Sequence, residues 1–290
     1  MFFFLHIVII NVIILEMNGE INMENLSTKI IDILNLIKKE IEKNKDFNQY
    51  IKLDKDIMEK ILPYMLDNHS KLANIIKYID FSNACLDNLD CTQKDFTYFV
   101  NLNLDPQKVL NKDLSGSNLG GIDFLDKNFA GVNIVGVDFT GTKNVEFDPQ
   151  KVLNKDLRGT KLNGLNFDNK SFDDVFIRSV DFNGSKNVEI NPQKIFEKDL
   201  RYTKLKGLDF LDKNFDDVYI MGSDFTGSTN VIINSEKILW KNLAYTNLNG
   251  VKLIVDDLKK NEVIIENTNF NGAIIDNIND DKSISKLLKK

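Results

Sequence analysis

The chain has 290 residues, with only four prolines, two cysteines and a formal net charge of −6. So few cysteines exclude a disulfide framework and favour a reducing, cytoplasmic setting. The charge is spread evenly, with a net of −2 over residues 96–290, so neither nucleic acid nor a basic partner is indicated by charge.

Residues 1–22 begin with an apolar run, MFFFLHIVIINVIIL, that contains no lysine or arginine. The run is shorter than the roughly 20 residues of a spanning helix, and it lacks the positive flank of a secretory signal. Gly19 and Glu20 can be encoded by a purine run that would serve as a bacterial ribosome-binding site ahead of Met23. We therefore expect translation to start at Met23, and a weak membrane anchor is the alternative.

Residues 23–77 are predicted to form a helical N-terminal region, because apolar residues recur there at helical spacing. Helices are predicted over residues 27–45, 54–66 and 70–79. We expect Pro63 to disturb the second of them. The region is interpreted as a cap on the repeats that follow, and a partner-binding or dimerising helical module is the alternative.

Apolar residues then recur at every fifth position, usually just after an Asp or Asn. One such run consists of Leu114, Leu119, Phe124, Phe129, Ile134 and Phe139. A period of five matches neither the 3.6 of a helix nor the 2 of a strand. It predicts a chain that turns a corner every five residues and points one apolar side chain inward from each side, as in a solenoid.

Stretches such as SNLGG (117–121) and VDFTG (137–141) resemble the pentapeptide-repeat family, whose pattern is a small residue, Asp or Asn, Leu or Phe, and two free positions. The resemblance implies a mainly β fold, a right-handed quadrilateral parallel β-helix with four pentapeptides per coil. We predict this β-helix over residues 78–279. The helical region would be its N-terminal α-helical cap, and residues 280–290 would be its C-terminal cap.

A longer phrase divides the repeats. DPQKVLNKDL occurs at residues 105–114 and 148–157, and NPQKIFEKDL and NSEKILWKNL follow at the same spacing of 43 residues. Two four-sided coils leave three of the 43 residues over, so we predict a bulge in every second coil. Asp148 suits a helix N-cap and Pro149 a first helical position, which predicts a helical turn. Val152 and Leu153 are expected to pack onto the coil.

The sequence contains no catalytic constellation. His6 and His69 have no metal-ligand spacing, and no nucleophile, phosphate-binding or dinucleotide motif occurs. We therefore predict no enzyme activity, no cofactor and no metal. Cys91 falls on an inward position and is predicted to be a buried, inert thiol rather than the redox partner of Cys85. The Asp and Asn of the repeat are predicted to bond the corner backbone rather than calcium.

Four lysines recur at the bulge, namely Lys108, Lys151, Lys194 and Lys237. We predict that they line a partner-binding edge, and solvated surface lysines are the alternative. The preferred function is a non-catalytic interaction or scaffold protein with a protein partner; a homodimer stays open. Direct nucleic-acid binding is not expected, and membrane association is expected only if residues 1–22 act as an anchor. Resemblance alone suggests a second hypothesis, a DNA-mimicking inhibitor of topoisomerase (gyrase) of the quinolone-resistance type.

Overall fold

A computed structural model describes residues 50–53, 55–255 and 262–277 of the chain. These residues fall into two compact units, and each unit is described by itself. The first unit holds the described part of 1–113 with 117–127 and 141–145, and the second holds 114–116, 128–140 and the described part of 146–290. The predictions for residues 1–22, for a helix over 27–45 and for a cap at 280–290 lie outside the described residues.

The first unit begins with two short strands around two helices. In chain order these are β1 (Ile51–Lys52), α1 (Lys55–Asp67), α2 (His69–Ile76) and β2 (Ile79–Asp80). The strands β1 and β2 pair in parallel. Pro63 is exposed and lies inside α1, which continues to Asp67, so the helix is not ended there.

Helix α1 is amphipathic. Its side chains Met58, Ile61, Leu62 and Met65 are completely buried at the spacing of one helical face. None of the helices in the described ranges is both long enough and apolar enough to cross a bilayer. That the helices cap the repeats remains a prediction, as do the boundaries of the helical region and the β-helix.

The five-residue period is confirmed as a burial period. In one complete run of the second unit, none of the six inward side chains is more than 1% exposed; these are Leu157, Leu162, Phe167, Phe172, Ile177 and Phe182. Their rings pack edge to face, with centroids of Phe172 and Phe182 5.3 Å apart. Burial of each such side chain contributes about 1.5–3 kcal/mol, so the stacked leucine, isoleucine and phenylalanine side chains together are a large source of cohesion in the coil.

The corners are made by the Asp and Asn that precede the inward residues. The Oδ1 atom of Asp138 accepts the backbone N–H of Thr140 at 2.9 Å, and Oδ1 of Asp181 accepts that of Asn183 at 3.0 Å. The residue two positions after the inward residue adopts a left-handed backbone conformation, as at Gly184 with φ +71°. This conformation favours glycine and asparagine there. The prediction that these polar residues serve the corner backbone is confirmed.

Successive coils stack in parallel. Lys161 lies opposite Asp181 and Lys204 opposite Asp224, an offset of 20 residues, whereas Asp138 lies opposite Lys161, an offset of 23. Near the end of the described chain the ladder widens into a parallel sheet in the order β3 (Ile232–Asn234), β4 (Lys252–Val255) and β5 (Ile274–Asn277). The architecture is therefore a parallel β-solenoid.

The three extra residues of every second coil form a tight 3₁₀-type turn with i→i+3 hydrogen bonds, in which Asn154 and Lys155 have left-handed φ values of +54° and +51°. Just before the turn Leu153–Lys155, each residue still lies opposite the residue 20 positions earlier in the preceding coil, since the N–H of Gly131 donates to the carbonyl of Lys151. Equivalent turns occupy Leu110–Lys112, Phe196–Lys198 and Leu239–Lys241. The predicted bulge is therefore present in the second half of the repeated phrase.

The details of the predicted turn are partly wrong. Asp148 does not cap it: its Oδ1 accepts the N–H of Gln150 at 3.0 Å in a local turn, and the 3₁₀ turn begins at Leu153. Pro149 is buried at the corner, where its fixed φ serves a tight turn as well as a helix. Val152 packs inward as predicted, but Leu153 is 41% exposed.

The glutamine of the phrase joins one coil to the next. Nε2 of Gln193 donates to the carbonyls of Asn214 and Asp216, at 3.2 and 2.6 Å, and Gln150 makes the equivalent pair of bonds one repeat earlier. The fourth copy has Glu236 instead, and its buried Oε1 has no hydrogen-bond partner among the described residues. The phrase therefore has a structural role in holding the coils together.

Candidate interaction surface

Each of the four lysines of the predicted binding edge lies near a carboxylate. The pairs are Lys108 with Asp87 at 3.7 Å, Lys151 with Asp148 at 3.8 Å, Lys194 with Asp173 at 3.1 Å, and Lys237 with Asp216 at 3.2 Å. In the second unit, Asp173 and Asp216 lie in the coils between Lys151, Lys194 and Lys237, so this part of the edge alternates in sign. Its role in partner binding stays a prediction, and the geometry favours the solvated alternative.

A second surface, which was not predicted from the sequence, contains every arginine of the chain. The sequence has three arginines among its 37 basic residues, and it has one tryptophan. In the second unit, the three arginines and the tryptophan share one side of the solenoid with five further aromatic residues. We call this surface the aromatic–arginine face; it consists of Arg158, Arg178, Arg201, Phe176, Phe196, Tyr202, Tyr219, Trp240 and Tyr245.

Two of the arginines are held by a carboxylate two residues earlier. Asp156 accepts Nε and Nη2 of Arg158 at 3.0 and 2.6 Å, and Asp199 accepts the same atoms of Arg201 at 2.8 and 2.6 Å. These hydrogen bonds raise the pKa of both arginines. Because the two acids are less than 10% exposed, each guanidinium is fixed at its edge and presents its flat surface.

The flat guanidinium surfaces stack on aromatic rings of the next coils. Arg158 lies 5.1 Å from the centroid of Phe176, which is itself 3.8 Å from that of Phe196. One repeat later, Arg201 lies 4.9 Å from Tyr219 and 5.4 Å from Trp240. Each cation–π contact contributes about 0.5–1 kcal/mol at an exposed site, so the stacks hold the rings in place.

Three aromatic side chains of this face remain strongly exposed: Tyr202 by 43%, Trp240 by 62% and Tyr245 by 56%. Tyr202 lies over Gly222, whose added Cβ would come within 2.8 Å of Cε1 of the ring. A cleft opens beside Trp240, lined by Leu239, Ile238 and Glu262 among others. The face therefore offers both a flat aromatic strip and a recess.

The fold itself does not demand these side chains. Copies of the same 43-residue repeat place Ser115 and Ala244 where Arg158 and Arg201 stand. Trp240 adopts φ +58°, a left-handed conformation that two other copies assign to asparagine. A bulky residue there is conformationally unfavourable, so local stability does not account for it.

The described residues contain no cluster of three or more His, Cys, Asp or Glu that would hold a metal ion. Burial raises the pKa of Cys91 to about 12, so its thiol is a poor nucleophile, and both cysteines are free. His69 is nearly buried and bonds the carbonyl of Thr97 at 2.8 Å, which is a structural role.

A signal for the aromatic–arginine face was present in the sequence. The tripeptide Asp-Leu-Arg occurs at 156–158 and at 199–201, and Phe-Ile-Arg lies between them at 176–178. The two intervals between the arginines are 20 and 23 residues, which are the two coil offsets of the solenoid. Residues at these intervals form a column, and the column is visible only when the three-residue insertion is placed correctly.

The buried five-residue period agrees with the match to one family model. A family model described as Pentapeptide repeats matches in eight copies, with residues 113–143 aligned. No curated protein matches the chain. Similar solved structures include a trypsin-treated form of QnrB1, a plasmid-mediated fluoroquinolone resistance protein, at 13% identity, covering 61% of this chain and 87% of that one with a TM-score of 0.26.

Another is HetL from the cyanobacterium Nostoc sp. strain PCC 7120, a pentapeptide-repeat protein involved in heterocyst differentiation regulation. It is 15% identical, with 63% of this chain and 84% of that one covered and a TM-score of 0.21. The match to the repeat model falls on residues whose inward side chains, such as Phe129 and Phe139, are buried at five-residue intervals. The chain belongs to the pentapeptide-repeat family.

Proposed function

We propose that this protein is a non-catalytic interaction protein and that a partner protein binds its aromatic–arginine face. The observation that carries the proposal is the gathering of all three arginines and the only tryptophan on one side of a single unit. Trp, Tyr and Arg are the residues that dominate binding energy at protein interfaces. A right-handed, four-sided β-helix, as family resemblance implies, would present them on a rigid scaffold.

The charge arrangement supports a protein partner rather than nucleic acid. Asp156 and Asp199 compensate two of the three arginines, so the face has little excess positive charge to neutralise phosphates. Stacking surfaces and exposed rings instead suit apolar and planar groups of another protein. A cytoplasmic location is part of the proposal, since neither cysteine forms a disulfide.

The alternative of a DNA-mimicking topoisomerase inhibitor is less well supported. Such a mimic needs a continuous stripe of negative charge, as on duplex DNA. One ladder of the second unit instead alternates in sign through Asp138, Lys161, Asp181, Lys204 and Asp224. Within it Lys161 contacts Asp138 at 2.6 Å and Lys204 contacts Asp181 at 2.7 Å, so adjacent coils neutralise each other.

The proposal is tested with a partner isolated from the native host and then purified. Affinity for that partner is measured by calorimetry with the wild-type chain, with Trp240→Ala and with Leu211→Ala. Leu211 is 58% exposed on another side of the coil and is the matched control. We expect Trp240→Ala to weaken binding about thirtyfold, since a central tryptophan contributes about 2 kcal/mol or more. Equal affinities for the two variants would refute the proposal.

A further inference from the structure

Arg178 differs from the other two arginines of the aromatic–arginine face. The position two residues earlier holds Phe176, where Asp156 and Asp199 stand for the other two. Arg178 is exposed, and no carboxylate of a described residue lies within 4.0 Å of it. Its guanidinium therefore has no anionic partner in the part of the chain that the structure describes.

The backbone of Arg178 is held in position, and its side chain lies beside an aromatic ring. Its guanidinium carbon lies 5.9 Å from the ring centroid of Tyr202. Its backbone is bonded on both sides, because its carbonyl accepts the N–H of Gly159 at 3.1 Å and the adjacent N–H of Ser179 donates to the carbonyl of Arg201 at 2.9 Å. Its side chain therefore starts from a fixed backbone position beside an aromatic ring.

The partners of the neighbouring arginines indicate which chemical group would bind Arg178. Arg158 and Arg201, in the two adjacent coils, each have a carboxylate in a two-bond fork, and Arg178 has the same donors without an acceptor. A planar carboxylate matches the guanidinium fork with two parallel hydrogen bonds. The exposed rings of Tyr202 and Tyr245 lie in the coils that follow and offer apolar contact beside it.

We infer that Arg178 and Tyr202 form the subsite that recognises an Asp or Glu side chain of the partner protein, within a segment that also places apolar or aromatic side chains on Tyr202 and Tyr245. The inference rests on the proposed function, because it names the partner chemistry of the same face. The partner carboxylate completes at Arg178 the arrangement that Asp156 and Asp199 complete internally.

The probe for this subsite is a phage-displayed library of random linear dodecapeptides, selected on the purified full chain. The tightest peptide is synthesised, and its affinity is measured with the wild-type chain and with Arg178→Gln, Arg178→Lys, Trp240→Ala and Lys186→Gln. Lys186 is exposed on a different ladder and controls for the loss of one positive charge. The peptide is also made with each Asp or Glu amidated, and with phosphoserine in its place.

We expect enrichment of peptides with an Asp or Glu near aromatic or apolar residues. Arg178→Gln and amidation should each weaken binding about tenfold or more, and should not add to each other, since both remove the same charged hydrogen bonds. Arg178→Lys should restore only part of the affinity, because an ammonium does not form the fork. Lys186→Gln should leave the affinity unchanged.

The inference is overturned if no peptide is enriched, if the enriched peptides lack a carboxylate, or if Arg178→Gln and Lys186→Gln have equal effects. Tighter binding of the phosphoserine peptide would assign the subsite to phosphate instead and would also overturn it. Binding that depends on Trp240 but not on Arg178 would refute this inference while the proposed function stands. Binding that depends on neither residue would count against both.

Discussion

Replacing Gly222 by alanine tests how the aromatic–arginine face is built. Gly222 has φ +73°, and a Cβ added there would lie 2.8 Å from Cε1 of Tyr202 and closer still to Cδ1. The ring of Tyr202 would therefore have to leave its place over the glycine. Gly227 is the matched control, since it has φ +69° and nothing lies within 4 Å of its added Cβ.

The two substitutions differ in one physical term. Alanine in the left-handed region costs about 1 kcal/mol at either position. Tyr202 is 43% exposed, so roughly 100 Å² of its surface is buried, and displacing it costs at most about 2.5 kcal/mol at 25 cal/mol per Å². We expect Gly227→Ala to lower the free energy of unfolding by about 1 kcal/mol and Gly222→Ala by about 2–3.5 kcal/mol.

The free energies are measured by urea titration followed by circular dichroism, for both variants in the wild-type and Tyr202→Ala backgrounds. In the Tyr202→Ala background the excess cost of Gly222→Ala should disappear, because the obstructing ring is gone. Equal costs of the two glycine substitutions, or an excess cost that persists without the ring, would show that Tyr202 does not rest on Gly222.

Three further outcomes are expected. Gln193→Glu should lower the free energy of unfolding by about 2 kcal/mol or more in the same titration, because it removes two amide donors and sets a carboxylate against carbonyl oxygens. Thr203→Val should lower the free energy of unfolding by about 1 kcal/mol, since the buried hydroxyl donates to the carbonyl of Ile177 at 3.0 Å. Ser235→Ala should raise it by about 1 kcal/mol, because the buried hydroxyl of Ser235 has no partner among the described residues. A change of the same sign for both variants would contradict this reasoning. The protein should not inhibit DNA supercoiling by gyrase, and inhibition at sub-micromolar concentration would revive the DNA-mimic hypothesis.

The inward residues of the solenoid were predictable from sequence because burial selects apolar side chains directly. A residue such as Phe172 must be apolar in every copy, so its five-residue period is visible without a structure. The corner role of Asp138 was predictable for the same reason, since a short polar side chain at a fixed step before the inward residue has a local hydrogen-bonding use.

The 3₁₀ turn was harder to predict because two signals conflict with its position. Asp148 and Pro149 suit a helix start, yet Asp148 makes a local turn and the extra residues are accommodated at Leu153–Lys155. Leu153 is apolar and was therefore predicted to be buried, but its side chain is exposed. Local patterns do not reveal which of several compatible turns the stacked coils select.

The aromatic–arginine face was not predicted because its residues come from successive coils and are brought side by side only when the coils stack. Arg158 and Arg178 are 20 residues apart, and Arg178 and Arg201 are 23 apart, so no single window of sequence contains the pattern. The four lysines were predicted to bind a partner because they recur every 43 residues, but such recurrence is also expected when a residue only serves the repeated structure. Side chains that differ between copies, such as Arg201 and Ala244, are the better indicator of function in a repeat protein.

The most direct test of the central claim is photocrosslinking in the native host. A benzoylphenylalanine is placed at Tyr245, which is 56% exposed on the aromatic–arginine face, and in a second strain at Leu211, which is 58% exposed elsewhere. We predict a discrete crosslinked protein adduct from the Tyr245 position after irradiation and none from the Leu211 position. Absence of an adduct at Tyr245, or an equally strong one at Leu211, would contradict the assignment of this face as the binding surface.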